Sequence, residues 1–280
     1  MLTDVKGIRV GHWTDAKAQT GCTAVILPKG NVASGEVRGG APGTREFDLL
    51  APGRLVESVD VVMLSGGSAF GLATCDGAMQ WCEDHKRGYK TGPGGLVPIV
   101  VGAIIFDLAV GSRTVRPDAV AGYSACDVAK RGRLETGRVG AGTGATIGKI
   151  GGPGAVRPGG LGTATERDDE LVVSALIVAN AAGHLRDGSG APTAWAGRLA
   201  PLENTTIGVI ATNATLDKSG CHLVAQSGHH GVARAFDPSH TRFDGDALVS
   251  VATGEVEADL ERVRFLAAHA VEQAIRNACA

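Results

Sequence analysis

Six short segments of this chain are apolar at nearly every position, and glycine, proline or asparagine stands at many of their ends. Segments of four to ten residues without alternation are typical of strands that are buried on both faces. We therefore predict strands at 22–27, 59–64, 97–106, 171–179, 206–211 and 247–251. Pro98 and Gly102 lie within the third segment and predict a bend there.

Four longer segments between these strands have helical character. In the last of them an apolar residue recurs every three or four positions, at Leu260, Val263, Ala267, Val271 and Ile275, which places one apolar stripe on a helix. Strands that are apolar on both faces need helices to cover the outer faces of their sheets. The pattern predicts an α/β protein with layered sheets and with helices at 68–84, 118–131, 216–236 and 255–277.

The composition narrows the class of protein. The chain has 27 Lys plus Arg against 29 Asp plus Glu, so no excess of positive charge indicates nucleic acid as a partner. Hydrophobic residues make up 44%, enough to build one large domain over 1–280, and the 42 glycines indicate turns and close backbone contacts.

Six cysteines without a C-x-x-C pair favour reduced, buried thiols. Without an apolar stretch of about 18 residues, we expect no membrane partner and a cytoplasmic location.

The segment 184–204 differs from the rest of the chain because it is rich in glycine, proline and polar residues. Such a segment predicts an exposed linker. It ends directly before a predicted strand whose first residue carries a hydroxyl group, Thr205. Cleavage at that junction would expose a new N-terminal threonine.

Two glycine-rich segments invite functional interpretations. The segment 140–148 partly resembles a phosphate-binding loop, but its spacing is not G-x-G-x-x-G. The segment 64–71 follows a strand and opens a helix, yet its pattern around Ser68 is G-S-x-x-G rather than the G-x-S-x-G of a nucleophile elbow. A strand-to-helix turn that lines a pocket explains it better, with Ser65 or Ser68 offering backbone amides to a substrate.

An acidic pair, Asp244 and Asp246, flanks a glycine directly before the last predicted strand. Three interpretations stay open at this point. Asp-Gly-Asp is a common turn, two carboxylates can act as a catalytic pair, and His229, His230 and His240 lie close enough in sequence to complete a metal site. No metal-ligand spacing such as H-E-x-x-H supports the third interpretation.

Seven motifs, each weak alone, follow one another in the order of a known family. The motifs are RGGAPGTR at 38–45, LSGGSAFGL at 64–72, GAGTGA at 140–145, VANAAG at 178–183, NTTI at 204–207, ATNA at 211–214 and HTRFDGD at 240–246. Together they resemble the P1-family peptidases, which include the L-aminopeptidase D-amidase/esterases, the β-peptidyl aminopeptidases and the nylon-oligomer hydrolases. The resemblance covers nearly the whole chain.

This resemblance implies a four-layer αββα sandwich of the N-terminal-nucleophile type. It implies a precursor that cuts itself between Asn204 and Thr205 into subunits 1–204 and 205–280, which stay together and assemble into a homo-oligomer, a tetramer or larger. A cut before Thr206 is the alternative. The implied substrates are small peptides or amides, and the mechanism needs no metal and no organic cofactor.

The implied chemistry uses one residue as nucleophile and base. Cleavage frees the α-amine of Thr205, whose reference pKa is about 8, so that it can accept the proton of the Thr205 hydroxyl. The hydroxyl then attacks an amide carbonyl, and water releases the acyl-enzyme. By resemblance, Asn180 stabilises the oxyanion, and some relatives carry a tyrosine where this chain has Phe106. The remaining implied site residues are Lys149, Asp244 and Asp246 around the nucleophile and Ser65, Gly66, Gly67, Ser68 and Phe106 in the substrate pocket.

The resemblance thus predicts a self-processing threonine amidohydrolase. Two alternatives stay open. Ornithine acetyltransferases also cleave themselves before a threonine and have a related architecture, so an amine can replace water as acceptor. A homologue that binds a metabolite without processing or catalysis is the other.

Overall fold

Two five-stranded sheets form the centre of the computed structural model, which describes residues 1–188 and 204–280. The strands of these sheets, in chain order, are β1 (Arg9–Asp15), β2 (Thr20–Ile26), β3 (Val32–Val37), β4 (Thr44–Arg45), β5 (Val61–Ser65), β6 (Val100–Ile104), β7 (Gly160–Asp168), β8 (Leu171–Asn180), β9 (Thr205–Ala214) and β10 (Ala247–Val256). The long helices are α1 (Thr74–Asp84), α2 (Ala119–Asp127), α3 (Lys218–Ala235) and α4 (Leu260–Ala278).

Shorter elements connect these strands and helices. A single α-helical turn lies at Phe47–Leu50, and 3₁₀ turns lie at Leu2–Asp4, Ser68–Ala73, Gly140–Gly142, Lys149–Gly151 and Pro153–Ala155. Two-residue strands pair as Tyr89–Lys90 with Leu96–Val97, Thr146–Ile147 with Arg157–Pro158, and His184–Leu185 with Phe236–Asp237.

The strand order is β1-β2-β5-β6-β4 in the first sheet and β7-β8-β9-β10-β3 in the second. The pairs β5–β6 and β9–β10 are parallel, and the other neighbouring pairs are antiparallel. Each sheet therefore has a parallel pair within antiparallel surroundings, and β9 lies in the middle of the second sheet.

The side chains of each inner strand are divided between two apolar layers. On β8, Leu176 and Val178 face the first sheet, whereas Ala175 and Ile177 pack against α3 and α4. On the opposite side of the molecule, the first sheet packs its outer face on α1 and α2. Because successive strand residues point to opposite faces, a segment that is apolar throughout serves both layers. The layers are helix, sheet, sheet, helix, which confirms the predicted αββα sandwich.

The six predicted strands correspond to β2, β5, β6, β8, β9 and β10, with corrected ends. β6 begins at Val100 rather than at Val97, and Leu96–Val97 belongs to an exposed hairpin because Pro98 interrupts the ladder. β10 continues to Val256, so the last helix cannot begin at Glu255. That helix begins after Asp259, whose carboxylate accepts hydrogen bonds from the first-turn amides at positions 261 and 262.

The other helices and the linker also need corrected ends. The segment 68–84 is a 3₁₀ turn followed by α1. Helix α2 begins after the capping residue Asp118 and ends before Arg131. Helix α3 begins after the capping residue Asp217 and ends before Phe236. At one end of the predicted linker, His184–Leu185 is a short strand; at the other, Asn204 is buried. The linker residues between 188 and 204 lie outside the described residues. All six cysteines are free and five are buried, as predicted.

Lys218, the first residue of α3, fastens the helix to the segment after β4. The residue is 6% exposed, and its ammonium group donates hydrogen bonds to the carbonyls of Leu49 and Val56, both at 2.6 Å. We expect Lys218→Met to lower the free energy of unfolding by about 2 kcal/mol, because both carbonyls lose a charged donor. Urea unfolding measures this. The exposed Lys17→Met is the control, and equal midpoints for the two variants would contradict the assignment.

Within residues 1–188 and 204–280, no helix combines the length and the apolar character needed to cross a bilayer.

Candidate active site

Thr205 and Asn180 face each other at one end of the second sheet. Thr205 is the first residue of β9 and Asn180 the last of β8, and the antiparallel register makes them direct partners. Both side chains have the strand parity of residues that face the first sheet, and both are buried, with exposures of 3% and 0%. Thr206 pairs with Ala179 and points to the helical layer instead. Of the two adjacent threonines, Thr205 therefore lies beside the predicted oxyanion residue.

The carbonyl oxygen of Asn204 accepts two hydrogen bonds. One comes from the backbone N–H of Gly245 at 2.9 Å, and the other comes from the hydroxyl of Thr205 itself. The hydroxyl group thus lies against the peptide bond that links it to the preceding residue. An amide donor at the same oxygen is the arrangement that stabilises a developing oxyanion.

The side chain of Asn180 has a fixed orientation. Its Oδ1 accepts hydrogen bonds from the Thr146 amide at 3.0 Å and from Lys149 Nζ at 3.1 Å, while Nδ2 lies 3.5 Å from the carbonyl oxygen of Phe106. Lys149 also donates to the carbonyls of Thr146 at 2.7 Å and of Asn180 at 3.0 Å. These contacts hold the amide oxygen toward Lys149 and the NH₂ group toward the Phe106 carbonyl.

Asp244 is buried next to the start of β9. Its carboxylate accepts hydrogen bonds from the Ala182 amide at 3.2 Å and from the amide and hydroxyl of Thr241 at 2.9 and 2.5 Å. Burial raises the pKa of Asp244, and the neighbouring charge of Asp246 raises it further. The backbones of Asn204 and Asp244 form a parallel bridge, so this carboxylate is tied to the predicted cleavage point.

Asp246 contacts the residue that follows the predicted nucleophile. Its Oδ1 accepts from the Thr206 amide at 2.5 Å, and its Oδ2 lies 2.7 Å from His240 Nδ1. Sequence reasoning offered His240 only as a metal ligand, and it gave no role in this site to Thr241 or the Gly245 amide. All three belong to the HTRFDGD motif, which was the available signal.

The RGGAPGTR motif packs its backbone on the acidic segment. The amides of Arg38 and Ala41 donate to the carbonyls of Asp246 and Asp244 at 2.7 and 2.9 Å. Gly39 lies between them with φ of +97°, and a Cβ there would overlap the Asp244 carbonyl oxygen. Only glycine allows both the positive φ and the close contact with the Asp244 carbonyl. The RGGAPGTR motif therefore holds the backbone of the acidic pair in place.

The predicted pocket loop, Ser65 to Ser68, makes its hydrogen bonds within the protein. The amide of Gly66 donates to the Gly21 carbonyl at 2.9 Å, and that of Gly67 donates to Asp107 Oδ1 at 2.7 Å. The Ser68 amide donates to the Ile105 carbonyl at 3.0 Å. The buried Ser65 hydroxyl donates to the Gly66 carbonyl. The Ser68 amide, one of the two that the sequence offered to a substrate, is therefore already paired within the protein. Phe106 connects this loop to the site through its carbonyl contact with Asn180; the loop's place in the substrate pocket stays a prediction.

Histidines near the acidic pair have other partners than a metal. His229 Nε2 donates to the Glu36 carbonyl at 3.2 Å, and His230 is exposed on α3. In the part of the chain that the structure describes, no group of three or more His, Cys, Asp or Glu side chains is arranged to hold a metal ion.

The αββα sandwich of this chain is the layer order of the N-terminal-nucleophile hydrolase fold. The structure is similar, with a TM-score of 0.78, to an L-aminopeptidase D-Ala-esterase/amidase of Ochrobactrum anthropi described as a variant of that fold; the sequences are 20% identical over 99% of this chain and 85% of the other.

Within that class, the chain belongs to peptidase family S58, whose family model matches residues 1–280. It is 43% identical over 295 residues to an uncharacterized aminopeptidase of Mycobacterium leprae (strain TN), covering 92% of this chain and 79% of that one. It is 28% identical over 280 residues to a 6-aminohexanoate-oligomer endohydrolase of Kocuria sp. (strain KY2), covering 91% and 75%. The family resemblance is confirmed, and the protein is a hydrolase that acts on amide bonds.

Proposed function

We propose that this protein cuts itself between Asn204 and Thr205 and then hydrolyses small peptides, amino-acid amides or amino-acid oligomers through an acyl-enzyme on Thr205. The observation that carries the proposal is the contact of the Thr205 hydroxyl with the Asn204 carbonyl, whose oxygen also accepts the Gly245 N–H. Nucleophile, target carbonyl and oxyanion donor are thus neighbours in the uncut chain.

Self-cleavage proceeds as an acyl shift from nitrogen to oxygen. The Thr205 oxygen attacks the Asn204 carbonyl carbon, and the Gly245 amide stabilises the resulting oxyanion. The C–N bond breaks as the hydroxyl proton passes to the leaving nitrogen, which becomes the amine of Thr205. Water then hydrolyses the ester and releases the Asn204 carboxylate.

Turnover uses the freed amine of Thr205 as the base. Its reference pKa of about 8 leaves a reactive fraction unprotonated near neutral pH. The substrate carbonyl lies between the Thr205 hydroxyl and the NH₂ group of Asn180, which donates to the tetrahedral oxyanion. Lys149 holds that amide in position, and Asp246 holds the strand through the Thr206 amide.

Gly245→Ala tests the geometry of the cleavage step. A Cβ at this position would overlap the Ala41 carbonyl oxygen and lie 3.0 Å from Thr205 Oγ1. We expect self-cleavage to slow by about 10-fold or more, because the oxyanion donor and the nucleophile are both displaced. Gly92→Ala, where a Cβ meets no neighbour within 4 Å, is the control. Equal cleavage rates of both variants, followed by denaturing electrophoresis, would argue against the Gly245 amide.

The substrate class rests on the family and on the relatives. One relative is named an aminopeptidase and another a 6-aminohexanoate-oligomer endohydrolase, which supports small amides with a free amine. No step of the proposed mechanism requires a metal or an organic cofactor. The homo-oligomeric assembly and the cytoplasmic location stay predictions.

Intact-mass measurement of the purified protein tests the proposal. We expect two fragments of about 20.7 and 7.7 kDa, in proportion to their lengths within the 28.4 kDa chain, with Thr205 at the start of the smaller one. A single uncut species without amidase activity would support a binding protein instead. Adding ornithine or other amines to an acylating substrate separates hydrolysis from acyl transfer by the product formed.

A further inference from the structure

His240 is held in a backbone conformation that directs two of its groups at one oxygen atom. Its φ is +53°, in the left-handed region that few residues with a side chain adopt. In this conformation both its backbone N–H, at 3.3 Å, and its ring Nδ1, at 2.7 Å, reach Oδ2 of Asp246. Such backbone strain at a site needs a reason, and this double contact provides one.

The other ring nitrogen of His240 fixes the first proton. Nε2 lies 3.1 Å from the carbonyl oxygen of His229, and a carbonyl only accepts hydrogen bonds. Nε2 therefore carries a proton. A neutral ring with its proton there would turn the lone pair of Nδ1 toward the Asp246 carboxylate, so a second proton must lie between Nδ1 and Oδ2.

That second proton belongs to the ring rather than to the carboxyl group. The two oxygens of Asp246 accept backbone N–H groups, from Thr206 and from His240, and such bonds favour the ionised carboxylate. The ordinary pKa of Asp, about 3.9, is also below that of His, about 6.5. The pair is then an imidazolium next to a carboxylate.

We propose that His240 is a positioning residue held as an imidazolium, which keeps Asp246 ionised and directed at the amide of Thr206. The charge state rests on the hydrogen-bond geometry and on the ordinary acidities of the two side chains. Its effect on catalysis rests on the proposed function, because Thr206 follows the proposed nucleophile and its amide sets the position of β9.

The groups around His240 are consistent with a charged ring. Burial lowers the pKa of His240, but the hydrogen bond and the charge of Asp246 outweigh burial and raise it above the ordinary value. Arg38 opposes this rise from the side of β3. From α3, the ring of His229 meets that of His240 edge to face at 4.9 Å, and burial lowers the pKa of His229 to about 3, so this neighbour is neutral.

The imidazolium also limits the cost of placing two carboxylates together. Asp244 lies two residues from Asp246, and its pKa is raised by burial and by the charge of Asp246. Without the positive ring, the two carboxylates would lose a neighbouring charge that favours their ionised forms. For any reaction that needs Asp246 ionised, the acidic limb of the pH–activity profile would then move to higher pH.

His240→Asn is the matched variant, because asparagine tolerates a left-handed backbone and keeps a short donor, but carries no charge. His230→Asn, an exposed change on α3, is the control. We expect His240→Asn to move the acidic limb of self-cleavage and of hydrolysis upward by about one pH unit, and His230→Asn to leave it in place. An unmoved limb in His240→Asn would overturn the proposal.

Nitrogen NMR of the full-length wild type reports the protonation of the His240 ring directly and does not depend on activity. We expect both ring nitrogens of His240 to carry protons at about pH 6.5, where an ordinary imidazole is only half protonated. A single protonated nitrogen at that pH would overturn the proposal. Failure of the proposed function would appear separately, as an uncut wild-type chain that hydrolyses no amide.

Thermal unfolding of the same variants gives a third measurement. Because the folded pKa of His240 is raised, its charge stabilises the protein fully below about pH 6.5, and this contribution is lost as the pH rises through the folded pKa. The Tm of wild type should therefore exceed that of His240→Asn most at acidic pH. A Tm difference that is independent of pH would count against the charged ring.

Discussion

A Thr205→Ala chain should remain one 28.4 kDa species and should hydrolyse no amide. The hydroxyl of Thr205 is the group that contacts the Asn204 carbonyl, and alanine offers no nucleophile for either reaction. Removing a catalytic nucleophile costs at least about 1,000-fold in rate, and here it also prevents formation of the N-terminal amine. Intact-mass spectra after prolonged incubation measure the first effect, and release from amino-acid amides measures the second.

Two further variants make this result specific. Thr205→Ser keeps a hydroxyl and should still cleave. Thr206→Val is the matched control, because the buried Thr206 hydroxyl has no hydrogen-bond partner among the described residues and faces the helical layer, and valine has nearly the same shape. If Thr206→Val stopped cleavage and Thr205→Ala did not, the nucleophile would be the second threonine.

An Asn180→Asp variant should cut itself but lose most of its hydrolytic activity. Aspartate keeps the oxygens that accept from Thr146 and Lys149, yet it has no NH₂ group to donate to an oxyanion. Loss of one such donor costs about 100- to 1,000-fold in rate. Self-cleavage should persist, because the Asn204 oxygen is served by the Gly245 amide instead.

The control for Asn180→Asp lies at the other end of the same strand pair. Asn213 on β9 accepts from the Val172 amide and donates to the Glu170 carbonyl, both at 2.8 Å. Asn213→Asp should lower stability without lowering kcat, since it is far from the cleavage point. Steady-state kinetics of the processed proteins separate the two effects. Full activity of Asn180→Asp would remove Asn180 from the mechanism.

The strands that the sequence predicted and those it missed differ in their place in the sheets. The six predicted strands are the inner strands, in which layers on both faces bury most residues and favour apolar side chains. No apolar segment predicted the other four strands of the two sheets. These strands lie at the sheet edges and are β1, β3, β4 and β7. An edge strand has fewer neighbours and carries more polar and glycine residues, so its hydrophobic signal is weak.

For the site, the sequence determined the candidate side chains, and the structure decided what holds them. The family resemblance pointed to Lys149, Asn180, Thr205, Asp244 and Asp246. The register of β8 and β9 makes Asn180 and Thr205 direct partners. The direction of a backbone amide depends on the fold and not on the residue type. The donor at Gly245 could therefore not be inferred from the sequence. The role of His240 was also hidden, because a ring's charge state depends on the acceptors that folding places around both of its nitrogens.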